Sequence, residues 1–296
     1  MPITTPATIA ELLSAGRRTY SFEFFPPKDQ AGMKQLLTAV EQLVPLQPDF
    51  VSITYGANGS TRERTIAATR SIAERVPLTI MGHLTIAGQS TDEIKTAIDA
   101  YAAAGVRHIL ALRGDMPGGP NVRWQPHPQG LTNATELVEL VLSRGAFCVG
   151  VAAFPDIHPS GSPELDVQLL LAKEQAGASF AITQFFFDVK RYQTLLSRLR
   201  AHGATLPVIP GLMPITRIAQ LSKFAEFSGA ALPTTVTSRL QAVASDDIAV
   251  RDMGAQIGLE LAGSLLDAQA PGLHFFTQNR SSVTREILAT LLAGRR

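Results

Sequence analysis

The chain has 296 residues, 45% hydrophobic and 17% charged, with a formal net charge of +1. That is ample apolar material for one big domain or two small ones, and a near-neutral balance without a long basic run argues against nucleic acid and anionic membranes as partners. Cys148 is the only cysteine, so no intrachain disulfide can form; residues 1–18 lack a secretory-type apolar run and no stretch approaches the ~18 apolar residues of a membrane span, which predicts a cytoplasmic protein.

Eight short apolar runs predict strands, at residues 20–25, 50–55, 78–84, 108–112, 147–154, 180–187, 207–212 and 272–277. Most are continuous rather than alternating, as parallel strands covered on both faces require. Between them lie helical patterns. Ser90-Thr91-Asp92-Glu93 is a capping box, followed by Ile94, Ala97, Ile98 and Tyr101 on one face. Gly105, Gly145, Gly177 and Gly203 each fall just ahead of a strand, where a glycine ends a helix. The last gap is too long for one helix and predicts three, near 216–227, 234–243 and 246–268. Eight strand–helix units predict an α/β chain folded as a single (β/α)8 TIM barrel over residues 1–296, with extra helices between strands 7 and 8. A doubly wound sheet is the competitor, but no G-x-G-x-x-G follows any strand.

The first strand carries the most informative side chain. Ser21-Phe22-Glu23-Phe24-Phe25-Pro26-Pro27 sets one carboxylate among phenylalanines and stops at two prolines, which lack the N–H a ladder needs. An acid in such a setting loses solvation, which favours its protonated form and makes Glu23 a candidate general acid. The competing reading puts Phe22 and Phe24 on one strand face and Glu23 on the other beside a basic partner.

In a barrel of this kind chemistry gathers at the C-terminal strand ends. Those ends read Thr54-Tyr55-Gly56-Ala57-Asn58, His83-Leu84-Thr85, Arg113-Gly114-Asp115, Phe154-Pro155-Asp156-Ile157-His158, Thr183-Gln184 and Gln278-Asn279-Arg280. Each has a structural role available: Asp115 capping a turn or pairing with Arg113, His83 as a bonded core histidine, Gln184 holding a backbone group, Arg280 on a helix surface. Their common placement on one rim favours a pocket. No metal-ligand spacing, nucleophile elbow or P-loop is present, so no metal is expected. One acid, several hydrogen-bonding groups and many aromatics suit a planar heteroaromatic ligand.

These segments resemble the methylenetetrahydrofolate reductase family, in its bacterial single-domain form. The resemblance is carried by 21–27, 51–58, 108–115, 150–159, 181–188, 207–214 and 272–280, in the family's order. It implies a (β/α)8 barrel that reduces 5,10-methylenetetrahydrofolate to 5-methyltetrahydrofolate with NAD(P)H, NADH being favoured, usually through bound FAD. It makes Glu23 the acid that protonates the bridging nitrogen of the folate, and places Asp115 near both flavin and pterin. Gln184, Gln220, Phe224 and Arg280 become folate or nicotinamide contacts. Thr54, Tyr55, His83, Arg113, Gly114, Phe154, His158, Asp166 and Lys173 fall on the flavin side.

The flavin signature departs from the family's pattern. Asn133 stands where an aromatic is usual and reads as a helix cap in Asn133-Ala134-Thr135-Glu136, Phe154 replaces a tyrosine, and Leu169, Leu171 and Ala172 occupy positions that are often polar. Losing cationic and amide partners weakens the grip on a diphosphate. Two expectations follow: FAD held by the remaining groups, or no flavin and hydride passed directly from NAD(P)H. Another flavin barrel, of proline dehydrogenase type, and a non-catalytic folate- or nucleotide-binding barrel are the alternatives. Oligomeric state is open.

Overall fold

The computed structural model describes residues 7–55, 62–119, 122–156, 161–228 and 230–294. Eight parallel strands close into a barrel in chain order: β1 (Thr19–Phe24), β2 (Phe50–Ile53), β3 (Thr79–Thr85), β4 (His108–Leu112), β5 (Cys148–Ala153), β6 (Phe180–Phe185), β7 (Val208–Leu212) and β8 (Gly272–Phe276). Pairing of β1 with β8 closes the ring. Each apolar run overlaps one strand, so the (β/α)8 expectation holds. Five of the runs, those over β1, β2, β5, β6 and β8, overshoot at their C-terminal ends because apolar character continues past the last ladder bond. Phe25 is exposed, and its amide donates instead to Asn279 Oδ1 at 2.7 Å.

The helices are α1 (Ile9–Ser14), α2 (Gln30–Leu43), α3 (Arg62–Ala73), α4 (Thr91–Ala103), α5 (Ala134–Ser143), α6 (Pro163–Gln175), α7 (Val189–Ala201), α8 (Ile218–Ser228), α9 (Thr234–Gln241), α10 (Asp247–Asp267) and α11 (Ser282–Ala293). The three helices expected between strands 7 and 8 are α8, α9 and α10. α4 carries the expected capping box, Ser90 with Glu93, and buries Ile94, Ala97, Ile98 and Tyr101. Gly105 and Gly203 take φ of 78° and 83° just past α4 and α7, a left-handed turn that an L side chain resists.

Alternation along the strands sorts side chains between two cores. Phe22 and Phe24 point outward into the helix–sheet layer with Leu36 and Val40 of α2. The inward set forms its own cluster of Phe50, Met81, Leu110, Cys148, Phe180, Ile182 and Ile209. α1, absent from the sequence expectations, packs Ile9 and Leu13 onto this inner cluster and closes the N-terminal end of the barrel. Its signal was legible, since Thr8 and Glu11 form a capping box. Cys148 lies in that inner core as expected, with burial raising its thiol pKa. With one end plugged, a ligand reaches the interior from the C-terminal strand ends. No described helix is long and apolar enough to cross a membrane.

Candidate active site

Glu23 points into the barrel near its C-terminal end and is buried. Its Oε2 lies 3.3 Å from His274 Nε2 and 3.5 Å from His83 Nε2. The other His274 nitrogen, Nδ1, is 2.7 Å from Ser21 Oγ, which also lies 3.4 Å from the Leu273 carbonyl. Ser21 and Glu23 are two residues apart and so share the inner face of β1; register places Ser21 opposite His274. Glu23 lies on the face opposite Phe22 and Phe24, beside imidazoles, on the inside of the rim.

This trio accommodates either protonation state of the carboxyl. With Glu23 ionised, His274 donates from Nε2 and accepts the Ser21 hydroxyl proton at Nδ1. With Glu23 protonated, the carboxyl donates to Nε2, Nδ1–H donates to Ser21, and Ser21 donates to the Leu273 carbonyl. Neither state leaves a ring nitrogen buried without a partner, a defect that costs about 1–3 kcal/mol.

His83 plays a different part. Burial drives its pKa down to about 4, against the pull of Glu23 and with the push of His274, so the ring is neutral at pH 7. Its Nε2 is buried without a hydrogen-bond partner, the approach to Glu23 Oε2 being a long 3.5 Å. The backbone at this position is held by Tyr101 of α4, which donates to the His83 carbonyl at 2.8 Å.

Above Glu23 opens a cavity of about 460 Å³. Of the expected site residues it brings together Glu23, His83, Arg113, Gly114, Asp115, Phe154, Asp166, Lys173 and Gln184. Thr54, Tyr55, Gln220 and Arg280 do not line it. Tyr55 packs into the outer core and donates to Gln89 Oε1 at 3.2 Å, and the Thr54 carbonyl accepts from Thr65. Gln220 is engaged with Gln278 and Thr216. Arg280 faces a second cavity past the end of β8. His158, with Gly56, Ala57, Asn58 and Ile157, lies outside the described residues, as does the side chain of Phe224.

The sequence reading missed His274, Trp124 and Leu165. A histidine inside the apolar run of β8 was the available signal for His274, but only ring closure puts it beside Glu23. Arg113 does not pair with Asp115; its guanidinium carbon lies 5.2 Å over the ring of Trp124, whose Nε1–H donates to the Thr132 carbonyl. Gln184 turns Oε1 onto the Phe185 amide at 3.0 Å, as its structural reading required.

The described side chains make a poor cradle for the diphosphate of FAD. Asn133 caps α5 with both ends of its amide: Oδ1 accepts from the Thr135 and Glu136 amides, and Nδ2 donates to Thr132 and Glu136. Leu165 and Leu169 line the cavity as exposed apolar groups where donors are needed. Leu171 packs against the outer core, so its polarity never bore on the cavity; the expectation is corrected there. The cations that remain are Arg113, stacked on Trp124, and Lys173. Burial pulls the Lys173 pKa down to about 8, with Asp166 opposing and Arg113 adding to the fall. Among the described residues no group of three metal-ligating side chains occurs.

A barrel with a buried acid under a cavity at its C-terminal rim defines an enzyme of the TIM-barrel class. The family model described as methylenetetrahydrofolate reductase matches residues 8–292. A 5,10-methylenetetrahydrofolate reductase of Pectobacterium carotovorum is 36% identical over 96% of this chain and 93% of its own. The Escherichia coli protein of the same name is 35% identical over 93% and 91%. The chain belongs to the methylenetetrahydrofolate reductase family and is an oxidoreductase. A solved structure, an uncharacterized protein from Clostridium thermocellum that binds two copies of 5-methyl-5,6,7,8-tetrahydrofolic acid, superposes with a TM-score of 0.63 at 12% identity. It covers 95% of this chain and 97% of its own, and shares the fold.

Proposed function

We propose that this barrel, as one cytoplasmic catalytic unit, reduces 5,10-methylenetetrahydrofolate to 5-methyltetrahydrofolate with a nicotinamide nucleotide as the electron source. The observation that carries the reading is the buried Glu23 under the cavity, with His274 and Ser21 able to follow a change in its protonation. Glu23 gives its proton to the bridging nitrogen, the adjacent C–N bond breaks, and an iminium forms. Hydride then adds to the methylene carbon, and solvent returns a proton to Glu23. Ring opening asks for a proton at a weakly basic nitrogen, which a desolvated, positioned acid supplies.

Gln184 and Asp115 offer an amide and a carboxylate at the cavity wall for the pterin, and Phe154, Phe276 and Trp124 offer planar faces. The Asp115 carboxylate on this wall would steady the positive charge that grows as the ring opens. The neutral His83 presents its unpartnered Nε2 to a ligand atom. Apolar walls exclude water around the transfer.

The mismatch at Asn133, Leu165 and Leu169 favours direct transfer from the nicotinamide to the folate. The second reading keeps FAD as an intermediate carrier and has Arg113 and Lys173 in its favour. When bound, FAD supplies two-electron transfer between donor and folate. A visible spectrum of the purified protein, with NADH oxidation measured before and after added FAD, separates them. A colourless protein that reduces the folate without added flavin upholds direct transfer. Activity that appears only with FAD sinks it. If the protein oxidises no NADH in the presence of the folate under either condition, the proposed reaction itself is wrong.

A further inference from the structure

The turn that follows β8 grips β1 at Glu23 and just beyond it. β1 runs out through Phe25 into Pro26 and Pro27, which have no N–H to offer. Phe25 lies past the last ladder pair on either side, Glu23 with Phe276 and Phe24 with Ile53. One side chain takes over from the ladder. The Phe25 amide donates to Asn279 Oδ1 at 2.7 Å, and Asn279 Nδ2 donates back to the Phe25 carbonyl at 3.0 Å.

Thr277 grips Glu23 itself. The Glu23 carbonyl accepts from the Thr277 amide at 3.1 Å and from its hydroxyl at 2.6 Å. That hydroxyl in turn accepts from the Asn279 amide at 3.2 Å. Thr277 is buried, and its carbonyl closes the turn by accepting from the Arg280 amide at 2.9 Å. The central residues, Gln278 and Asn279, take φ of 54° and 57°. Both are left-handed, as in a type I′ turn, yet neither is glycine. Joining β8 to α11 does not by itself call for two such residues. Strain of this kind persists only where surrounding contacts over-determine it, and it gathers at functional sites.

We infer that Asn279 and Thr277 are positioning residues for the acid. They fix β1 at Glu23 and two residues beyond it, and so set the direction from which the carboxyl enters the cavity. The inference rests on the proposed role of Glu23 as proton donor. Displacing a reacting group by about 1 Å costs about 100-fold in rate, so a backbone clamp next to the acid has a kinetic consequence.

The test pairs two variants of the full-length protein. Asn279→Gly accepts the left-handed φ and removes both side-chain contacts to Phe25. Thr277→Val keeps the shape and removes the hydroxyl. Each is expected to lower kcat for folate reduction about 10-fold or more, with KM for the folate within about twofold. Thr277→Ser, which restores the hydroxyl, is expected to recover most of the loss. The NMR resonance of the isotope-labelled Glu23 carboxyl carbon, assigned by its disappearance in Glu23→Gln, reads the same placement without turnover. It is expected to move or broaden in Asn279→Gly and in Thr277→Val. Unchanged kcat in both overturns the inference, as does a raised KM with kcat intact or a loss that Thr277→Ser repeats in full. If Asn279→Gly does not fold, the Thr277 variants decide alone. A wild type that reduces no folate sinks the proposed reaction only. The Glu23 resonance then decides the positioning, and a resonance unmoved by the variants overturns it.

Discussion

Glu23 and His274 meet across the seam where β1 pairs with β8, with Oε2 3.3 Å from Nε2. The contact joins residues 251 positions apart, and it places the proposed acid against a ring whose other nitrogen is held by Ser21. His274→Phe keeps the ring volume and removes both nitrogens. Reduction is expected to slow at least about 10-fold in kcat with little change in KM for the folate, as loss of an aligned acid rather than of binding. A raised KM with kcat intact would place His274 in substrate binding. A changed pH profile of kcat is the second readout, since a purely structural defect lowers the rate at every pH alike.

Glu23→Gln preserves shape and removes the acid. Folate reduction is expected to fall about 100-fold or more, while nicotinamide binding measured by fluorescence titration stays within about twofold. Normal folate turnover by this variant would show that the proton comes from elsewhere.

His108 gives the fold an acid limit. It lies at the start of β4 under α1, its Nε2 3.4 Å from the Ile9 amide, and burial lowers its pKa to about 4. The unfolded chain binds a proton near the ordinary value of about 6.5, so the unfolded state takes up more protons between those limits. Stability from this group is therefore full above pH about 6.5 and is lost as pH falls towards about 4, amounting to about 3 kcal/mol at most. Urea unfolding from pH 7 to pH 4.5 should show the fall, and His108→Leu should flatten it. An unchanged pH slope in the variant would assign the loss to other groups, His83 first.

Gly254 lies inside α10, where alanine has the better helix propensity by about 1 kcal/mol. A Cβ there would stand 2.0 Å from the Ile215 carbonyl oxygen, a backbone atom that cannot swing away. Overpacking of that kind costs about 1–3 kcal/mol or more and exceeds the propensity gain. Gly254→Ala is thus expected to lower the thermal midpoint. A raised midpoint would mean that the two elements separate at little cost.

Much of the barrel was legible in the chain. Strand runs, the Ser90 and Asn133 caps, the glycine stops and the three helices before β8 depend on residues a few positions apart, and neighbours alone fix them. Glu23 stood out for the same reason, as one charge in an aromatic run. What neighbours cannot carry is which inward side chains end up facing each other. Tyr55, read as a site residue, and Leu171, read as a departure in the flavin signature, both turn into the outer core, because the direction of a side chain depends on the register of its strand or helix. Arg113 was matched to Asp115 by proximity in sequence and stacks instead on Trp124, which a loop returns to it. His274 was one histidine in an apolar strand until β8 closed onto β1. Sequence by itself determined the elements and the acid; closure of the ring decided its company, since pairing the first strand with the last is a contact that no local pattern encodes.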